Sequence, residues 1–208
     1  GAGDGKTWRD FPTIGTWAGF DAGGAEARYG REMEIYLEMC ERWRNLSKPT
    51  IAQVQGRVIA GGLMLAWICD LIIASEDATF KDPVIDFGIC GVEFFNHPWE
   101  LGIRKAKELM FTGDLITAAD ARELGLYNHV FPDDQVYQRA LDLIGRILAN
   151  APISIRQVKK SIEFGAQMDT RTGLFFEVEA YSRLVATDDR REGIRAFNEK
   201  RPPRFSGR

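Results

Sequence analysis

Residues 58–68 read Val-Ile-Ala-Gly-Gly-Leu-Met-Leu-Ala-Trp-Ile, an apolar strand end that turns through two glycines into an apolar helix. Such a turn aims unpaired backbone N–H groups at whatever sits in it. Gly61 and Gly62 let that ligand come close, because no side chain stands in the way. The same geometry serves a phosphate, a carboxylate or an oxyanion that develops during a reaction. A purely architectural alternative stands beside it, in which the two glycines only allow helix and strand to pack closely. Spacing alone leaves both open.

The flanking elements follow from periodicity. Ile51, Val54, Val58 and Ile59, interleaved with Gln53, Gln55 and Arg57, predict a half-buried strand and its exit. The helix over 63–69 is apolar on nearly every side, so it must be buried. It stops at Asp70, and 71–74 form the next strand. Upstream, Met33, Ile35, Tyr36, Met39, Cys40 and Trp43 recur at helical steps over 29–46, and Pro49 admits the central strand. Downstream, Thr79 and Phe80 form a short strand. Pro98 opens a helix running to Phe111 with Asn96 or His97 as its cap, and Gly113 ends it. Thr117 caps a short helix closed by Gly125. Residues 130–132 form a short edge segment, and four helices then fill 135–150, 155–165, 172–186 and 190–200. His129 falls at the sheet edge and is structural in this reading.

Composition narrows the function classes. A chain of 208 residues with 45% apolar content can form one core with a docked C-terminal extension. Its 27 basic and 30 acidic residues argue against a general nucleic-acid binder. No apolar run is long enough and free of polar residues to span a bilayer, which predicts no membrane partner. Cys40, Cys69 and Cys90 lack metal-type spacing, so no metal site is expected and reduced thiols in the cytoplasm fit. In the opening Gly-Ala-Gly-Asp-Gly-Lys-Thr the glycine that a phosphate-binding loop needs five places before Gly5 would fall ahead of the first residue, so a nucleotide site is not expected here.

Several ordered blocks resemble the crotonase (enoyl-CoA hydratase/isomerase) superfamily. They are Lys48 with the eight residues to Gly56, Ala60-Gly61-Gly62, Cys69-Asp70, Ala78-Thr79-Phe80 and Leu109-Met110-Phe111-Thr112-Gly113. Ala118-Ala119-Asp120-Ala121, Gly125-Leu126-Tyr127-Asn128 and the run from Thr187 to Gly193 continue the series. The resemblance implies an α/β crotonase-like spiral core over 1–133, with a helical C-terminal trimerisation region over 134–208. It also implies that the strands which precede Gly1 in relatives exist elsewhere. The partner would be an acyl-CoA thioester in a homotrimer or dimer of trimers, with no cofactor beyond the coenzyme A of the substrate.

By the same resemblance, the Gly61 N–H is one of two donors that hold a thioester oxygen, and Ala2 supplies the other. Gly62 completes the turn. Members that hydrate carry two glutamates, whose positions here are Met64 and Val84; neither can transfer a proton, so both are left to line the substrate site. Asp86, two residues beyond Val84, shares its face if that piece is extended. Asp86 and Glu93 are therefore the acid–base candidates, with His97 at the helix entrance as a substrate-side group. Each has a plain structural alternative: a paired acid, a surface charge and a capping residue. Phe197 and Lys200 match C-terminal positions that reach the CoA of a neighbouring subunit; the alternative is a packing anchor and a solvated lysine.

Overall fold

The computed structural model describes residues 29–30, 32–91 and 94–208. Ala2 and Glu93 lie outside the described residues.

The predicted helix over 29–46 is wound in two ways, a π-helical stretch Glu32–Glu38 followed by α1, Met39–Arg44. It brings Tyr36, Met39 and Cys40 to one side, and Cys40 is fully buried. The strand read as one piece is two: β1, Ile51–Val54, and β2, Arg57–Ile59, belong to different sheets. Gly56, at φ +61°, makes the break, a left-handed backbone that costs glycine nothing. Next come α2 (Gly61–Trp67), β3 (Leu71–Ser75) and β4 (Thr79–Lys81). Helices α3 (His97–Leu101) and α4 (Ile103–Thr112) follow. Gly102, at φ +73°, divides what the periodicity predicts as one helix. Strand β5 (Ile116–Thr117), α5 (Ala118–Glu123) and β6 (His129–Phe131) complete the sheets. Thr117 and Asp120 form a reciprocal capping box at the start of α5. The C-terminal helices are α6 (Asp133–Leu148), α7 (Pro152–Gly165), α8 (Thr170–Leu184) and α9 (Asp188–Asn198).

One sheet is parallel, in the order β1-β3-β6, with Ile51 opposite Leu71 and Ile73 opposite His129. The other runs β2-β4-β5, with β2 parallel and β5 antiparallel to β4. The expectation for α2 is met on three sides: Leu63, Met64, Ala66 and Trp67 are buried, while Leu65 is half exposed. The helix packs on β1 and β2, so its far side is left to other partners. Burying a large apolar side chain is worth about 1.5–3 kcal/mol, so α2 anchors the core. Helix α6 packs on the parallel sheet, with Val136 and Ala140 against Ile73. Helix α7 is tied to the core by Lys159–Asp70 (2.8 Å) and Arg44–Glu163 (2.9 Å).

Two pH responses follow from this packing. Tyr127 is buried with no hydrogen-bond partner for its hydroxyl, and burial pushes its pKa up to about 12. A folded value above the unfolded one stabilises below pH ~10 and is lost as pH rises towards 12. Tyr127→Phe is expected to raise stability by about 1 kcal/mol and flatten that alkaline loss in urea titrations, because an unpartnered buried hydroxyl is removed. The second response is acidic. Arg201 donates to both oxygens of Glu192 (2.6 and 3.1 Å), and the Arg204 N–H adds a third bond at 2.8 Å. Together these bonds bring the Glu192 carboxyl from 4.5 down to about 2. A depressed carboxyl stabilises above its unfolded value and loses that contribution as pH falls through the folded one. The segment held on Glu192 through the Arg201 guanidinium and the Arg204 N–H is therefore expected to loosen as pH falls from 4.5 to about 2. Amide exchange at Arg204 checks this.

Candidate active site

The glycine turn lies where β2 and β4 end together. Ala60 donates to the Lys81 carbonyl (3.3 Å) and accepts from the Met64 N–H (3.0 Å), which starts α2. Ala60 itself sits at φ 47°, ψ −112°, a left-handed backbone uncommon for a residue with a Cβ. The N–H groups of Gly61, Gly62 and Leu63 have no acceptor within the helix they begin. For Gly62 the architectural explanation fails. An added Cβ would stand 3.9 Å from Val58, ordinary contact, so packing does not demand glycine there.

One turn into α2, Met64 is buried against Cys40 and Ile68, with Tyr36, Met39 and Phe94 around this cluster. Val84 is also buried, at the start of a 3-10 turn, Val84–Phe87, that follows Pro83. Met64 and Val84 are thus both enclosed, and neither side chain can exchange a proton.

The 3-10 turn overturns the idea that Asp86 shares the face of Val84. Residues two apart share a face in a strand but not in a helical turn. Asp86 instead faces outward, 46% exposed along its side chain, and pairs with Lys81 at 2.7 Å. Its other oxygen lies over Gly113, where an added Cβ would come within 2.9 Å. In this chain Asp86 bridges Lys81 to the end of α4.

His97 goes the other way, inward. It is the first residue of α3, 3% exposed, edge-on to Trp67 (centroids 4.6 Å) and tilted against Phe95 (4.7 Å). Its Nε2 lies 3.0 Å from Asp82 Oδ2, off the line of the ring N–H, so the contact is a close approach rather than an aligned hydrogen bond. Asp82 Oδ1 accepts from the Val84 N–H at 3.3 Å. Asn96 precedes α3 as expected and donates to Glu100, whose carboxyl is pushed up by burial while Arg44 pulls it down. The Asp82–His97 contact has no signature in the sequence: the residues are fifteen apart, across a turn whose course periodicity does not give.

Elsewhere, His129 stacks on Phe131 in the edge strand β6, a structural place as read. No disulfide forms among the described residues, and burial pushes the Cys69 thiol up, away from a reactive thiolate. Among the described residues no cluster of His, Cys, Asp or Glu could hold a metal. Phe197 and Lys200 are exposed at the end of α9, outside the core of their own chain. A cleft of about 710 Å³ lies between the end of α1 and α7, lined by Arg44, Ser47, Arg156, Lys159 and Lys160. None of its lining comes from α2 or the turn after β4, and Arg44 and Lys159 are held in the ion pairs described above.

A family model described as Enoyl-CoA hydratase/isomerase matches residues 18–208. EchA13 of Mycobacterium tuberculosis is 49% identical over 141 residues, which is 67% of this chain and 44% of that protein. The mitochondrial methylglutaconyl-CoA hydratase of Mus musculus is 37% identical over 169 residues, 78% of this chain and 54% of the relative. The chain thus spans about half the length of these curated relatives. The crystal structure of enoyl-CoA hydratase from Bacillus anthracis superposes with a TM-score of 0.84 at 34% identity, covering 90% of this chain and 73% of that one. The mixed α/β core and helical C-terminal region described above therefore have the crotonase fold.

Proposed function

Because the chain belongs to the enoyl-CoA hydratase/isomerase family, we propose that it binds an acyl-CoA thioester and stabilises the enolate form of its acyl group. The Gly61 N–H holds the thioester oxygen, and Ala2 supplies the second donor. One observation carries this reading: the β2–α2 turn keeps its N–H groups free of helical acceptors, with an N-terminal residue held in a left-handed backbone. Donors aimed at an oxygen that gains charge act on the transition state more than on the ground state. CoA is part of the substrate, and no other cofactor is invoked. Phe197 and Lys200 serve the CoA of a neighbouring copy, and the assembly is a trimer or a dimer of trimers acting in the cytoplasm. The exposed apolar side chains of Leu174, Phe175, Val178 and Tyr181 on α8 support association.

Exchange of the C2 hydrogens of butyryl-CoA in deuterium oxide tests the proposal, since it reports enolate formation without any need for water addition. Exchange above buffer is the expected result. Glu93 is the remaining candidate for moving that proton, because Asp86 faces outward in its pair with Lys81; exchange lost in Glu93→Gln and kept in Asp86→Asn is the expected result. A second reading, a binder without turnover, draws support from the buried Met64 and Val84. Acyl-CoA binding by calorimetry with no exchange would select it, and absence of binding would end both.

A further inference from the structure

Three pieces of chain meet at the buried imidazole of His97. Helix α2, which begins at the glycine turn, supplies Trp67. The segment leaving β4 supplies Asp82, whose second oxygen holds the N–H of Val84. Helix α3 starts with His97 itself, and Phe95 just before it lies against Gly91, where even a Cβ would stand 2.7 Å from the ring. We propose that Asp82 and His97 are positioning residues that hold the turn carrying Val84 and the first turn of α3 at a fixed spacing against α2, and so set affinity for the acyl group without touching CoA. This rests on the acyl-CoA reading above, in which Met64 and Val84 line the acyl site.

The physical case is one of asymmetry. A buried carboxylate beside a buried imidazole is held by few partners, so removing one leaves the other uncompensated. Asp82 has two: the Val84 N–H and His97. Loss of the imidazole therefore frees Asp82 to turn outward and take the Val84 backbone with it. The aromatic walls fix the imidazole from two sides, so the spacing is stiff only while His97 is present. A shift of about 1 Å in such a wall is enough to lose much of the fit of a bound group. Neither residue is placed to meet the phosphates or adenine of CoA, because both are enclosed.

Calorimetry with free CoA and with octanoyl-CoA separates the two contributions. In the parent protein octanoyl-CoA is expected to bind more tightly than CoA. His97→Leu should shrink that acyl advantage about tenfold while free CoA stays within about twofold, and His97→Gln, which keeps a donor near the Nε2 position, should stay within about threefold of the parent. Where His97→Leu does not fold, Asp82→Asn decides. It preserves shape and keeps an oxygen for the Val84 N–H but removes the carboxylate that faces His97, so a loss of about threefold or more in the acyl advantage alone is expected. An unchanged octanoyl-to-CoA ratio in a folded variant overturns the inference, as does an equal loss for both ligands, the mark of a general structural defect. A parent that binds neither ligand overturns the acyl-CoA reading itself, and this inference with it.

Discussion

Crotonyl-CoA hydration by this protein should be indistinguishable from buffer even at high enzyme concentration, and Met64→Glu with Val84→Glu together should raise it by about 10²-fold or more. Water addition needs one group to deliver water to C3 and one to move the C2 proton, and each positioned acid or base is worth about 10²–10⁴-fold. The positions that resemble the hydratase pair hold buried, proton-free side chains, while the glycine turn that would hold the oxygen is intact. In the proposed reading the clamp stands without the acid–base pair, and the double substitution supplies what is missing. Each single variant should gain much less, because the two roles act as a unit. The gain comes with lower stability, since one carboxylate enters the cluster of Met64 with Tyr36, Met39 and Phe94 and the other the buried place of Val84, so the assay belongs at low temperature with folding checked by circular dichroism. Hydration by the parent above buffer would place a working carboxylate elsewhere and remove this account of Met64 and Val84.

Trp67→Ala is expected to cost about 3–5 kcal/mol in urea unfolding, a large share of the stability of a domain whose total is typically about 5–15 kcal/mol. Trp67 is 3% exposed and makes edge contacts with both Phe80 (6.0 Å) and His97. It thus joins α2 to β4 and to α3, and its loss opens a cavity between three elements rather than at one surface. Trp67→Phe should cost far less, about 1–2 kcal/mol, because the indole N–H has no hydrogen-bond partner to lose and a ring remains in place. A Trp67→Ala variant within 1 kcal/mol of the parent would mean the site collapses to fill the space, and that the three elements are held by other contacts.

Local chemistry explains why some features were legible in advance. The helix 61–67 announced itself by an unbroken apolar run after two glycines, and the cap at Thr117 by a hydroxyl three residues before Asp120. The division of 51–59 into strands of two sheets was not legible, because Gln53, Gln55 and Arg57 alternate as they would in one strand. Gly56 decides it through its backbone angle, which a residue type permits but does not require. The placing of Asp86 failed for a related reason. Pro83 and the residues after it are compatible with either an extended piece or a tight turn, and the choice reverses which side chain faces inward.

Residue order alone determined the family to which this chain belongs, the glycine turn before a buried helix, and the non-titratable side chains at Met64 and Val84, because each is a matter of which side chain stands at which position. Only the tertiary structure decided that Asp86 turns out to Lys81 while Asp82 and His97 meet beneath Trp67. Charges separated along the chain find or miss one another according to how strands and turns cross in space, and no local preference carries that distance.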